Sequence, residues 1–199
     1  LYQLTIEPGT RFAALHAAGK FTPLDPDTAA DMFELTAEVT AAAGLPAYEI
    51  SNHARPGEES RHNLTYWRYG DYAGVGPGAH GRRLGARTVR HRKPENFLAA
   101  VRRNGHGNAE EAALSPVEGA DEALVMGLRL AEGIDPAAIA QRFGLRRLLD
   151  ESAVRRLLAT GQLEQNGTRL RTTASGRLLL DHILGEIAEP QLPVSSLVE

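Results

Sequence analysis

The 199-residue chain contains no cysteine. That excludes a disulfide framework, a zinc–thiolate centre and an iron–sulfur cluster held by thiolates of this chain. It also lacks an excess of either charge. Lys and Arg total 22 against 25 Asp and Glu, a net charge of −3, so no global basic field draws nucleic acid or acidic lipid without specificity. No apolar run approaches the roughly 20 residues that span a bilayer, and the first residues lack the basic segment and long apolar core of a signal peptide. Aromatics are few, with one Trp, five Tyr and five Phe, so any cluster of them carries information.

What is present reads first as mixed strand and helix. Tyr2 to Ile6 alternates as a strand and ends at the Pro8-Gly9 turn. Because the chain opens inside an element, we expect sequence upstream of Leu1. A helix is predicted over 26–43, with Asp25 as cap, Pro26 at the first position, Met32, Leu35, Val39 and Ala43 on one face, and Gly44 as stop. A second short strand is predicted at 47–51, so strand, helix and strand suggest a parallel βαβ unit.

Residues 52–93 have another texture. They hold four of the seven His, three of the five Tyr and the only Trp, with little amphipathic periodicity. Long loops in compact domains are usually functional. Short strands are expected at 72–76 and 87–91, a helix after Pro94, and a linker over 104–112. Beyond it, Ser115-Pro116-Val117-Glu118 is a capping box, with Ala120, Leu124, Leu128 and Ala131 as an apolar stripe. Further helices start at Asp135-Pro136 and span 149–160. A hairpin turning at Asn166-Gly167 follows, then a last helix capped by Ser175, carrying Leu179, Ile183 and Ile187. Helices followed by a hairpin suggest a winged-helix-like module, and the tail after Pro190 reads as disordered.

Three patterns carry chemistry. Gly76 to Gly81 satisfies G-x-G-x-x-G formally, but no helical stripe follows, which argues against a dinucleotide site. Either a tight glycine turn or a backbone that approaches a flat cofactor closely remains open. His62-Asn63-Leu64-Thr65-Tyr66-Trp67 gathers an imidazole, an amide and two large aromatics. His is a common axial ligand of haem iron, and Tyr and Trp can stack on a planar ring. Chemistry alone favours packing for these residues, because a lone His rarely binds metal. Arg82, Arg83, Arg87, Arg90 and Arg92 can bind propionates or phosphates, although such runs are more often a solvated face. In the same way Arg146, Arg147, Arg155, Arg156, Arg169 and Arg171 permit a DNA-binding reading of the module, against the interleaved Asp150, Glu151 and Glu164.

Together, Tyr2 to Thr10, Tyr48 to Asn52, His62 to Trp67 and Gly70 to Gly81, in this order, closely resemble the HemW-type haem chaperones. These are radical S-adenosylmethionine proteins that are often labelled as oxygen-independent coproporphyrinogen III oxidase-like. The resemblance is dense over 1–100 and looser over 115–188. It implies an α/β fold: the C-terminal part of a partial (β/α) radical-SAM barrel over 1–103, with cofactor- and haem-facing loops. A mostly helical, winged-helix-like module over 113–188 and a disordered tail over 189–199 would follow. It also implies a [4Fe–4S] cluster on a Cys-x3-Cys-x2-Cys loop, which this chain lacks. The cluster loop and the first barrel strands are therefore expected upstream, and this chain alone is not expected to do radical chemistry.

Carried over by resemblance, Thr5 and His80 lie beside S-adenosylmethionine, and His62, Asn63, Tyr66 and Trp67 face haem, with His62 as ligand and the aromatics as ring supports. An imidazole ligand has to be neutral, so such binding weakens as pH falls through about 6.5. The implied function is haem binding and delivery to haem-accepting proteins. The alternatives are oxidative decarboxylation of coproporphyrinogen III, and a winged-helix DNA-binding protein. The lack of a signal peptide and of a long apolar run leads us to expect a cytoplasmic protein without an integral membrane segment, and the charge balance leads us to expect no nucleic-acid partner; a homodimer is left open.

Overall fold

Helix N-termini organise much of this chain, and the computed structural model describes them within residues 2 and 4–188. The chain divides into two units, Leu1–Glu59 and Ser60–Glu199. The expected disordered tail over 189–199 lies outside the described residues.

In the first unit, α1 (Arg11–Ala17) starts where the Thr10 hydroxyl accepts from the Ala13 amide at 3.3 Å. Helix α2 (Pro26–Ala42) starts where the Asp25 carboxylate accepts from the Thr28 amide at 2.9 Å, with Pro26 at a position that needs no N–H. Its apolar stripe is present but open: Met32, Leu35 and Val39 are all more than half exposed.

The two predicted strands of this unit do not form among the described residues. Tyr2 and residues 4–6 are irregular, and 47–51 carries only an isolated bridge from Ala47 to His53. That second segment folds back on itself, the Tyr48 amide donating to the Asn52 carbonyl at 3.1 Å and Ala54 to Pro46 at 3.2 Å. Alternating apolar residues suit a pleat, but a strand also needs a neighbouring ladder. None faces either segment among the described residues.

The second unit begins with α3 (Arg61–Trp67), followed by β1 (His80–Arg83), β2 (Ala86–Arg90), α4 (Pro94–Asn104) and β3 (Asn108–Ala113). The three strands form an antiparallel sheet in the order β1-β2-β3, with Gly81 opposite Thr88 and Val89 opposite Glu110. The strand predicted at 87–91 is β2. The one predicted at 72–76 is reduced to a single bridge between Tyr72 and Arg82. The segment read as a linker holds β3. Its Asn-Ala-Glu-Glu-Ala-Ala sequence has little strand propensity and stays largely exposed, so the open edge of β2 supplies the ladder that the local sequence does not announce.

Five helices and a hairpin follow: α5 (Pro116–Gly127), α6 (Pro136–Phe143), α7 (Glu151–Ala159), β4 (Leu163–Asn166), β5 (Arg169–Thr172), α8 (Ala174–Arg177) and α9 (Leu180–Ile187). The capping box is complete, with Ser115 Oγ accepting from the Glu118 amide at 3.2 Å and Glu118 accepting from the Ser115 amide at 2.8 Å. The hairpin's two loop residues are Gly167 and Thr168, one position later than predicted. Asn166 stays paired with Arg169, and Gly167 supplies the positive φ of 61° that the turn requires. The predicted last helix is two. Its cap is Thr173, which accepts from the Gly176 amide at 3.1 Å, and Leu179 leaves helical geometry between α8 and α9. Leu124, Leu128, Leu163, Ile183 and Ile187 are fully buried, so the main core sits in this C-terminal region. No helix among the described residues is long and apolar enough to cross a membrane.

The caps predict an acid-labile fold. Amide hydrogen bonds from Thr28, Ser115 and Ala138 hold Asp25, Glu118 and Asp135 below the ordinary carboxylate range, and the Ser152 side chain does the same for Asp150. A depressed carboxylate stabilises the fold above its unfolded value, and that contribution is lost as pH falls through the folded one. Asp121, raised by burial, acts with the opposite sign. The urea midpoint is therefore expected to fall between pH 6 and pH 3; an unchanged midpoint would mean that the caps carry no net stability.

Candidate functional site

Helix α3 places the His62 to Trp67 motif. Ser60 caps it, accepting from the Asn63 amide at 3.3 Å. His62 and Tyr66, four residues apart, share one face. The Tyr66 hydroxyl lies 2.9 Å from His62 Nε2, and the rings meet edge to face at 4.6 Å. That hydrogen bond leaves Nδ1 as the open ring nitrogen, on an exposed side chain. Trp67 turns elsewhere. The Arg129 guanidinium lies 4.6 Å from its ring, and its Nε1 is buried with no hydrogen-bond partner in the structure. Trp67 also lines a cleft of about 370 Å³, together with Tyr69, Arg142 and Arg169.

Behind Tyr66 the structure assembles a group that sequence reasoning missed. Tyr66 meets Tyr72 edge to face at 4.4 Å. The Arg82 guanidinium stands 5.5 Å from the Tyr72 ring and 3.5 Å from the Tyr69 ring. It donates to the Gly70 carbonyl at 3.2 Å and to Glu122 at 3.4 Å, and the Tyr69 hydroxyl donates to the same Glu122 oxygen at 2.8 Å. Burial first, then Glu122, raise the Tyr69 phenol far above its ordinary value, so it stays a donor. Arg142 completes the set by donating to the Tyr69 carbonyl at 3.0 Å. The one available signal was density: three Tyr within seven residues, beside an Arg.

Arg82 therefore does not face an anionic ligand. It is 5% exposed and committed inside the protein, while Arg87 pairs with Glu110 across the sheet at 3.4 Å. In the module, Arg155, Arg156, Arg169 and Arg171 pair with Glu151, Glu186, Glu132 and Glu164, which tempers the basic reading of that surface. His80 is exposed on β1 of the second unit, and Thr5 is exposed in the irregular start of the first. The glycine run is a turn leading into a strand, not a helix, which removes the dinucleotide reading. Gly74 and Gly81 are small for internal reasons. A Cβ at Gly74 would strike the His80 carbonyl, and one at Gly81 would lie 2.7 Å from Thr88 Oγ1. Glu7 is exposed, whereas Glu49 is buried and accepts from the Ser51 amide at 2.8 Å. Among the described residues no three His, Asp or Glu side chains converge on a metal position.

The family described as the HemN C-terminal domain matches residues 114–179. Across the longer chain, the mouse mitochondrial "Radical S-adenosyl methionine domain-containing protein 1" is 38% identical over 196 residues, 92% of this chain and 44% of that protein. "Heme chaperone HemW" of Bacillus subtilis is 31% identical over 188 residues, 93% of this chain and 49% of that protein. The Escherichia coli HemW is 34% identical over 196 residues, covering 92% and 47%. Over more than nine-tenths of its length this chain is homologous to the HemW haem chaperones and to the mitochondrial radical S-adenosyl methionine domain-containing protein 1. It spans less than half the length of the curated relatives it matches. The solved structure of E. coli coproporphyrinogen III oxidase (HemN), described as a radical SAM enzyme, matches with a TM-score of 0.61 and 18% identity, covering 87% of this chain and 44% of that one. The radical-SAM fold class implied by the motifs is thus shown, although among the described residues the two strands predicted before residue 52 are not formed.

Proposed function

We propose that this protein binds haem as cargo and passes it to haem-accepting proteins, with His62 as the iron ligand. The supporting observation is the His62–Tyr66 pair on α3, an exposed imidazole held through Nε2 with Nδ1 open. A ligating histidine is commonly oriented by a hydrogen bond from its other nitrogen, and Tyr66 occupies that role here. Asn63, on the same short helix, is the further ring-facing residue in this reading, whereas Trp67, turned toward Arg129, does not share the His62 face. The relatives named as haem chaperones, at 31% and 34% identity, favour cargo binding over the oxidase reading, whose solved representative is 18% identical.

Relatives named for radical S-adenosylmethionine domains bring Thr5 and His80 into the proposal, each as a separate contact to that nucleoside. The residues present do not fit a thiolate-held [4Fe–4S] cluster, since cysteine is absent. The chain's own contribution is then binding and orientation. The module over 113–188, a cytoplasmic location and a homodimer belong to the same reading, with the mitochondrial relatives marking another compartment.

Hemin titration followed by absorbance tests the proposal. The wild-type chain is expected to shift the Soret band and saturate near one haem per chain, and His62→Ala to bind at least about tenfold more weakly, about 1.4 kcal/mol. Tyr66→Phe is expected to keep the fold but change the band position, because it releases Nε2. Equal titrations for wild type and His62→Ala would remove His62 as the ligand.

A further inference from the structure

A second concavity, in the C-terminal region, is untouched by the haem reading. It measures about 740 Å³ and lies between α6, the α6–α7 connection, α7 and the β4–β5 hairpin. Its origin is visible in α7, which has two apolar stripes. Ala153 and Leu157 are buried in the core, at 1% and 3% exposure. Val154 and Leu158, also four residues apart, line the groove and are only partly buried. The core buries this second stripe less completely than the first. Leu145 and Leu148 extend the apolar floor. The rim carries the exposed Arg146 and Arg155, with Glu151 as its acidic lining residue. The Arg155–Glu151 pair spans 3.7 Å with both side chains more than 70% exposed, so it is weak and exchangeable.

We propose that this groove docks an acidic amphipathic helix of a partner protein. Such a helix lays apolar residues at i, i+3 and i+4 along a floor of this kind. Acidic side chains on its flanks would meet the arginines, which bind carboxylates bidentately. Duplex nucleic acid fits less well, because its phosphates would face Val154 and Leu158 and meet the Glu151 carboxylate. The inference does not depend on haem being the cargo.

The test is fluorescence anisotropy with the whole chain and a labelled synthetic helix of about 18 residues, roughly five turns, built of Leu on one face and Glu on the other. The comparison probes are the same peptide with Lys for Glu, and a short DNA duplex. Saturable, salt-sensitive binding of the acidic peptide alone is expected. Val154→Asp, and Arg146→Glu combined with Arg155→Glu, should each weaken it at least about tenfold, while Arg102→Glu on α4 leaves it unchanged. Circular dichroism checks each fold. If Val154→Asp melts the module, the exposed arginine pair decides. Preference for the duplex or the Lys peptide, affinity indifferent to the groove variants, or absence of saturable binding would each overturn the proposal.

Discussion

Gly133→Ala is expected to destabilise the second unit by about 3 kcal/mol. Gly133 has φ of +67°, a conformation that costs a residue with Cβ about 1 kcal/mol or more. The added Cβ would also strike the Leu170 carbonyl and lie 2.6 Å from Arg171 Cβ and 2.9 Å from Arg171 Cα. These are mostly main-chain neighbours, which cannot swing aside, and overpacking of this kind costs about 1–3 kcal/mol. The approach has a structural purpose. The next residue, Ile134, exchanges two backbone hydrogen bonds with Leu170, at 2.9 and 2.8 Å, and ties the α5–α6 connection to the hairpin. Urea unfolding followed by Trp67, the single tryptophan, reads this unit directly. A loss below about 1 kcal/mol would show that the hairpin shifts freely and that the close approach is not needed.

Arg82→Ala is the second large effect, expected at about 2–3 kcal/mol. A desolvated cation over an aromatic ring contributes about 2 kcal/mol, and here the guanidinium lies 3.5 Å from the Tyr69 ring. Removing one partner of a fully buried ion pair costs about 3–5 kcal/mol, but that figure does not apply in full. The Glu122 side chain is 35% exposed against 6% for Arg82, so water reaches the carboxylate once the guanidinium is gone. Arg82→Lys should recover only part of the loss, since a point charge neither stacks on Tyr69 nor reaches Gly70 and Glu122 together. The variant also has a second readout. If Tyr72 carries the position of Tyr66 to His62, hemin affinity falls in Arg82→Ala under conditions where the chain is still folded. A pure stability loss with unchanged hemin affinity would confine Arg82 to packing.

The candidate site was half legible. The sequence brought His62, Tyr66 and Trp67 to attention by residue type alone. That they form a helix was not legible, because a seven-residue element has no periodicity to display; only Ser60 marked its start. The spacing of His62 and Tyr66 became meaningful once α3 was known. Tyr69, Tyr72, Arg82 and Glu122 could not be assembled from sequence, since Glu122 is 40 residues from Arg82 and lies on α5, whereas Arg82 lies on β1. Arg82 and Arg83 are neighbours with the same chemistry, yet one is buried and the other exposed. The surroundings of Arg82, which meets the Tyr69 ring, the Gly70 carbonyl and Glu122, decide that, and they required the tertiary structure.

What the sequence determined by itself was everything settled within a few residues. Asp25, Ser115 and Asp135 cap the helices they precede, because a side chain satisfies an amide three positions ahead. The helix stripes and the hairpin belong to the same class. Tertiary structure decided where ladders form. It withheld strands from 4–6 and 47–51 despite their composition, and granted one to Asn108–Ala113 despite its own. A helix makes its hydrogen bonds inside its own segment, whereas a strand borrows them from a partner whose position no local pattern records.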